Sequence, residues 1–261
     1  MRLARDLWGS FTQPAFWLFS AWLDVITKYR RTSLGILWIF VPPMVFIWGI
    51  GLFMAALQGT GRGAHVAHVG IGFIVFRLCT GVVAEAPAVL SSYRTFIFDG
   101  RNRLTDYVLR AIARAMIYLL FAMPLMALAL QGAPTADYSA LGISLAGLLL
   151  VLANLIWVGV LLGLVGARFP DLHELIGSIM IALFLITPIV WESTSAPAGT
   201  LHGNLMRLNP LAHWVMVIRD PLLGIPVEPL SWWVTLVGIP VGGLVAALAY
   251  QRYAKRVPIW L

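Results

Sequence analysis

Two ionisable side chains, Arg77 and Glu85, stand inside an apolar stretch in which neither has an opposite charge close by in sequence. An ion in such a place is costly unless it is paired, wetted or used, so each is a candidate for a pore, a substrate contact or an ion pair between helices. Eight residues separate them, about 12 Å along a helix, which is too far for a simple direct pair. The histidines, His65, His68, His173, His202 and His213, form only isolated pairs, and none of their spacings matches a metal-ligand pattern, so no metal is assigned. The single cysteine, Cys79, lies among apolar neighbours and reads as packing, with no disulfide framework and no thiolate site. No G-x-x-x-x-G-K-S/T loop occurs, so the chain does not cradle nucleotide phosphates in that way. A membrane-embedded acyl- or glycosyl-transferase would need convergent carboxylates or histidines near one membrane face; with Arg77 and Glu85 as the clear deep charges, the sequence offers little for it.

The elements that must position these residues are membrane spans. Hydrophobic residues make up 60% of the 261 and charged residues 11%, with a mean hydropathy of +0.88. A soluble domain of that composition has too little polar surface to cover itself. A net charge of +7 raises nucleic acid as a partner, but the cations fall between apolar segments instead of forming a basic face, and orientation in a membrane explains them better. The organising stretch is 28–57. Lys28, Tyr29, Arg30 and Arg31 stand before a run from Leu34 to Leu57 without a charge, about 36 Å as a helix and enough to cross roughly 30 Å of hydrocarbon.

The pattern predicts an all-α integral membrane protein with six spans, at about 34–57, 69–90, 111–130, 141–167, 175–191 and 230–250, preceded by a cytoplasmic segment 1–33 and followed by a tail 251–261. Residues 7–26, rich in Trp and Phe but cut by Pro14 and Asp24, read as an interfacial amphipathic helix. No short apolar core with a cleavage site precedes residue 34, so no signal peptide is expected. The segments 1–33, 91–115, 168–174 and 251–261 hold fourteen Lys and Arg, and the opposite loops 58–68, 131–140 and 192–229 hold three. That bias predicts both termini in the cytoplasm. In 192–229, apolar pieces too short to cross read as re-entrant or interfacial helices before the last span.

Two faces and one turn are candidate sites. Trp38, Pro42, Phe46, Gly49 and Phe53 step at helical spacing along span one, and Gly177, Met180, Phe184, Pro188 and Trp191 do so along span five. Aromatic faces of this kind suit packing against other helices or lipid, and equally suit a wall along which apolar surfaces stack and slide. Residues 91–110 alternate Tyr93, Phe96 and Phe98 with Arg94, Asp99, Arg101 and Arg103, which suits a short helix presented to a soluble partner, or simply a solvated turn. Asp171 and Glu174 after Arg168 either start the fifth helix through its dipole or dock a partner.

Four stretches, KYRRTSLGILWIFVPP (28–43), GARFPDLHELIGSIMIALFLITPIVW (166–191), LNPLAHWVMVIRDPLLG (208–224) and RYAKRVPIWL (252–261), resemble in content and order the membrane subunits of type-2 ABC exporters, most closely those that export O-antigen, capsule and teichoic-acid polysaccharides. One departure is the absence of proline from 104–117, where members often carry one. The resemblance implies a homodimeric permease in the bacterial inner membrane, docked on two nucleotide-binding ATPase subunits that hold ATP and magnesium, with no cofactor on this chain. A lipid-linked polysaccharide would pass a channel at the dimer interface, lined by Trp38, Phe46, Phe53, Phe184 and Trp191. The family's coupling helix lies in 91–110, which assigns Tyr93, Arg94, Phe96, Phe98, Asp99 and Arg101 to it. A type-2 exporter of drugs or simple lipids is the alternative within the same class.

Overall fold

A computed structural model describes residues 2–59, 61–100 and 102–261, and among these the chain is helical with no strand. The helices are α1 (Arg2–Thr12), α2 (Ala15–Tyr29), α3 (Val41–Met44), α4 (Gly51–Gln58), α5 (Arg62–Val83), α6 (Arg94–Phe98) and α7 (Leu104–Gln131). They continue with α8 (Leu141–Arg168), α9 (Leu172–Ile186), α10 (Leu201–Leu208), α11 (Pro210–Leu222), α12 (Pro229–Tyr253) and α13 (Val257–Trp260). Among the described residues five segments are long and apolar enough to cross a membrane: Gly35–Leu57, Arg62–Ala88, Leu104–Gln131, Tyr138–Arg168 and Pro229–Trp260. The chain is a membrane-embedded helical protein.

The segment Gly35–Leu57 is irregular, running from a 3₁₀ turn (Gly35–Ile39) through α3 and a π-helical stretch (Val45–Ile50) into α4. Pro42 and Pro43 lack the N–H groups that would bond back to residues 38 and 39, which breaks the α pattern where the segment begins. Gly59, at φ 63°, closes α4 in the left-handed conformation that a side chain would disfavour. The stretch expected to be span five forms the shorter α9 of 15 residues, about 22 Å long. It ends because Thr187, at ψ 133°, is extended ahead of Pro188, whose ring clashes with a helical preceding residue.

The central helix is α5, buried along most of its length, with α4, α7, α8 and α11 packed around it. The first half of α7 is flanked by α2, which runs parallel to it. Phe16 meets Tyr107 edge-on with centroids 5.7 Å apart, Asp24 reaches Arg110, and Lys28 reaches Tyr118. Through the Ser10–Thr105 hydroxyl pair (2.7 Å) and the Tyr250 hydroxyl donated to Asp6 (3.0 Å), α1 ties the starts of α2 and α7 to the end of α12.

Though only 13 residues long, α11 is buried from Leu211 to Leu222 against α5, α8 and α12. Its approach to α8 depends on Gly147, where a Cβ would meet the Val217 carbonyl oxygen at 2.5 Å and the carbonyl carbon at 3.0 Å. Backbone cannot yield cheaply, so Gly147→Ala is expected to lower stability by about 1–3 kcal/mol through overpacking. Gly142→Ala in the same helix meets nothing within 4 Å and is expected to be neutral or stabilising, since alanine favours helix by about 1 kcal/mol. Thermal unfolding of both variants in detergent checks this; equal midpoints would refute the close approach.

Candidate functional site

The two predicted aromatic faces touch at one place. Phe46 stacks on Phe73 of α5 with centroids 3.6 Å apart, and Phe184 of α9 meets Phe46 edge-on at 6.0 Å and Phe76 at 5.5 Å. These four rings are an aromatic cluster within the chain, joining span one, α5 and α9. On the same face of span one, Trp38 and Phe53 are exposed, at 40% and 59%, together with Pro42 and Gly49. The helical face through 177, 180 and 184 does not continue to Pro188 and Trp191, because α9 has already ended. Trp191 instead donates its indole N–H to the Leu185 carbonyl at 3.0 Å. Its ring borders a cavity of about 500 Å³ with Ile186, Ser195, His202 and Leu205.

Both intramembrane charges now have surroundings. Glu85, just past α5, is ion-paired with Arg114 of α7. Asp24 of α2 takes Arg110 at 2.5 Å and lies 3.8 Å from Arg114. Arg110 also sits 3.9 Å over the ring of Tyr93, which stacks on Tyr107 with centroids 5.6 Å apart. Thus Arg110 and Arg114, which read as loop cations in 91–115, belong to the second and third turns of a helix that starts at Leu104, seven residues before the expected boundary. Arg77 lies 5.1 Å from the centroid of the Tyr118 ring, which Lys28 approaches at 5.8 Å. Among the described residues no carboxylate lies within 4.0 Å of Arg77.

A second polar cluster was not visible as such in the sequence. Arg219 of α11 is fully buried. Its Nε donates to Asp220 at 2.8 Å, its Nη2 lies 2.7 Å from the same carboxylate oxygen, and its Nη1 donates to the Pro188 carbonyl. His68 Nε2 is 3.2 Å from Nη1 and 3.1 Å from the Trp191 carbonyl. It accepts from the guanidinium when unprotonated and donates to the carbonyl when protonated. Burial pushes the Asp220 carboxyl up from its usual range, against the pull of Arg219. The absence of a side chain at Gly72 leaves room for the guanidinium, since a Cβ there would be 3.2 Å from Nη1. This cluster pins the broken end of α9 to α5 and α11. His68 was expected in the loop 58–68, but α5 begins at Arg62 and buries both His65 and His68. The signal available in the sequence was the adjacent Arg219–Asp220 pair within an otherwise apolar run.

Nearby, His213 Nδ1 is 2.9 Å from the Ser231 hydroxyl and Nε2 is 2.9 Å from the Arg207 carbonyl, while Arg207 pairs with Glu228. Among the described residues no group of three His, Cys, Asp or Glu is placed to hold a metal ion.

In the turn 91–103, α6 is a five-residue helix anchored by buried Ile97, with Phe96 and Phe98 exposed at 50% and 57%. Arg94 and Asp99 are exposed beside them. Tyr93 points the other way, half-buried between Arg110 and Tyr107. Arg101 lies outside the described residues. Arg103 precedes α7, its backbone N–H donated to Asp106 at 2.8 Å and its guanidinium to Gln13 at 3.1 Å. No family model matches the chain, and no curated protein matches it.

Proposed function

We propose that the chain is the membrane subunit of a type-2 ABC exporter that moves a lipid-linked polysaccharide across the bacterial inner membrane. In this reading it performs no chemistry of its own. Two separate nucleotide-binding subunits hold ATP and magnesium, and a second copy of the chain completes the channel. The observation that carries the reading is α6, a short helix with two uncovered phenylalanine rings at the end of the bundle where the half-buried ion pairs of α2, α5 and α7 converge. Such a helix suits the cleft of a soluble partner, because buried aromatics are the anchors of interfaces.

Further support comes from the exposed face of span one, with Trp38 and Phe53, and from α9, which has no buried residue. Both surfaces are left for a second copy, for substrate or for lipid. With α9 and the residues after it as the remaining crossing, six spans return both termini to the cytoplasmic side, as the cation bias requires. Within this layout α1 and α2 lie at the cytoplasmic boundary, and α10 and α11 enter from the outside, where enclosure by protein lets a helix too short to span be accommodated.

Vesicles holding the purified chain and the ATPase encoded with it test the proposal. Lipid-linked glycan is expected to raise ATP hydrolysis several-fold, and the chain alone is expected to hydrolyse nothing. Stimulation by a simple lipid but not by glycan would move the reading to an exporter of lipids or drugs. A transferase reaction by the isolated chain would overturn it.

A further inference from the structure

The tail 252–261 is not used in the reading above, yet its aromatic and basic residues form one wall of a groove. The groove has a volume of about 490 Å³ and runs between the last two turns of α8 and the chain from Ala249 to Trp260. Its two ends differ in chemistry. Leu161, Leu164 and Val165 of α8 give an apolar floor, and Arg168 and Arg256 stand at the mouth with Tyr253 and Trp260. From Leu161 to Arg168 is seven residues, about 10 Å of helix rise, so the floor extends from the charged mouth toward the interior of the span.

The cations there are unneutralised. Among the described residues no carboxylate lies within 4.0 Å of Arg168, Arg252 or Arg256. Their nearest partners are rings, with Arg168 5.4 Å from the Phe169 centroid and Arg252 and Arg256 5.8 and 5.9 Å from that of Tyr253. Arginines grouped with Phe169, Tyr253 and Trp260 at the end of two helices long and apolar enough to cross a membrane place the mouth at head-group level. The buried Val257 and the tilted contact of the Trp260 ring with that of Tyr253, centroids 5.8 Å apart and planes at 40°, hold the tail in place as a wall.

We propose that this groove binds an anionic phospholipid, with the phosphate between Arg168 and Arg256 and an acyl chain along Leu161, Leu164 and Val165. A soluble anion would satisfy the arginines and leave the apolar floor wet, and a zwitterionic lipid would cover the floor and leave the mouth with excess positive charge. Basic pockets between spans select acidic head groups for this reason. The site depends only on α8 and α12 crossing the membrane, and not on what the protein transports.

The test is native mass spectrometry of the full chain in detergent, titrated with phosphatidylglycerol or with phosphatidylcholine of the same acyl chains. Phosphatidylglycerol is expected to bind about thirty-fold more tightly, which is ~2 kcal/mol for two arginines. R168Q/R256Q is expected to erase that difference while keeping the wild-type melting temperature, since both side chains are exposed and outside any ion pair. R62Q/R94Q, which removes two exposed arginines elsewhere, is expected to keep it. Equal binding of the two lipids, survival of the preference in R168Q/R256Q, its loss in R62Q/R94Q, or full displacement of phosphatidylglycerol by inorganic phosphate would each overturn the assignment.

Discussion

Arg219→Leu is expected to destabilise the folded protein by about 3–5 kcal/mol, the scale for removing one member of a buried ion pair. The guanidinium satisfies the Asp220 carboxylate, the Pro188 carbonyl and, in one protonation state, His68. Leucine supplies none of these donors and leaves a buried carboxylate that burial already drives toward its protonated form. The damage should extend to the end of α9, because the Pro188 carbonyl, just past the point where the helix stops, is satisfied by Arg219. Thermal unfolding in detergent, together with the monodisperse fraction on size exclusion, measures it. R219L/D220L should recover part of the loss, since well-packed apolar residues in place of a whole buried pair are often neutral or better. A wild-type melting temperature for Arg219→Leu alone would show that the cluster contributes nothing. Failure of R219L/D220L to recover would show that the contact to Pro188, rather than the ion pair, is what holds α11 against α9.

Phe96→Ala with Phe98→Ala is expected to abolish stimulated ATP hydrolysis and export while leaving the protein folded. Both rings are exposed and Ile97 between them is the residue that anchors α6 to the core, so their truncation removes surface contact and little internal packing. Two aromatic anchors at an interface are worth about 2 kcal/mol each or more, enough together to weaken docking by about a thousandfold. Arg94→Glu, which alters an exposed rim charge, is expected to change function by much less, since such charges contribute about 0.2–1 kcal/mol. Export and hydrolysis are measured together at matched membrane abundance. Normal coupling in the double alanine variant would exclude α6 as the docking element and direct attention to 168–174.

Composition and length alone determined that this is a helical membrane protein, because a run such as Leu34–Leu57 without a charge has no other stable solvent than lipid. The end of α9 was also within reach of the sequence, through the restriction that Pro188 places on Thr187, although the continuous apolar run masked it. What the sequence left undetermined were the partners of its polar groups. Arg110 and Arg114 look like loop cations until α2 brings Asp24 and the end of α5 brings Glu85 beside them. His68 looks like an outer-loop residue until α11 supplies Arg219 and the break after α9 supplies a carbonyl. Likewise the periodicity that places Phe46 and Phe184 on their helical faces says nothing of Phe73 and Phe76, whose contacts make them one cluster. The physical reason is the same in each case. Apolar burial is non-directional and is written into local composition, whereas the cost of burying a charge or a polar group is met by a particular atom from a distant segment, and only the tertiary structure says which.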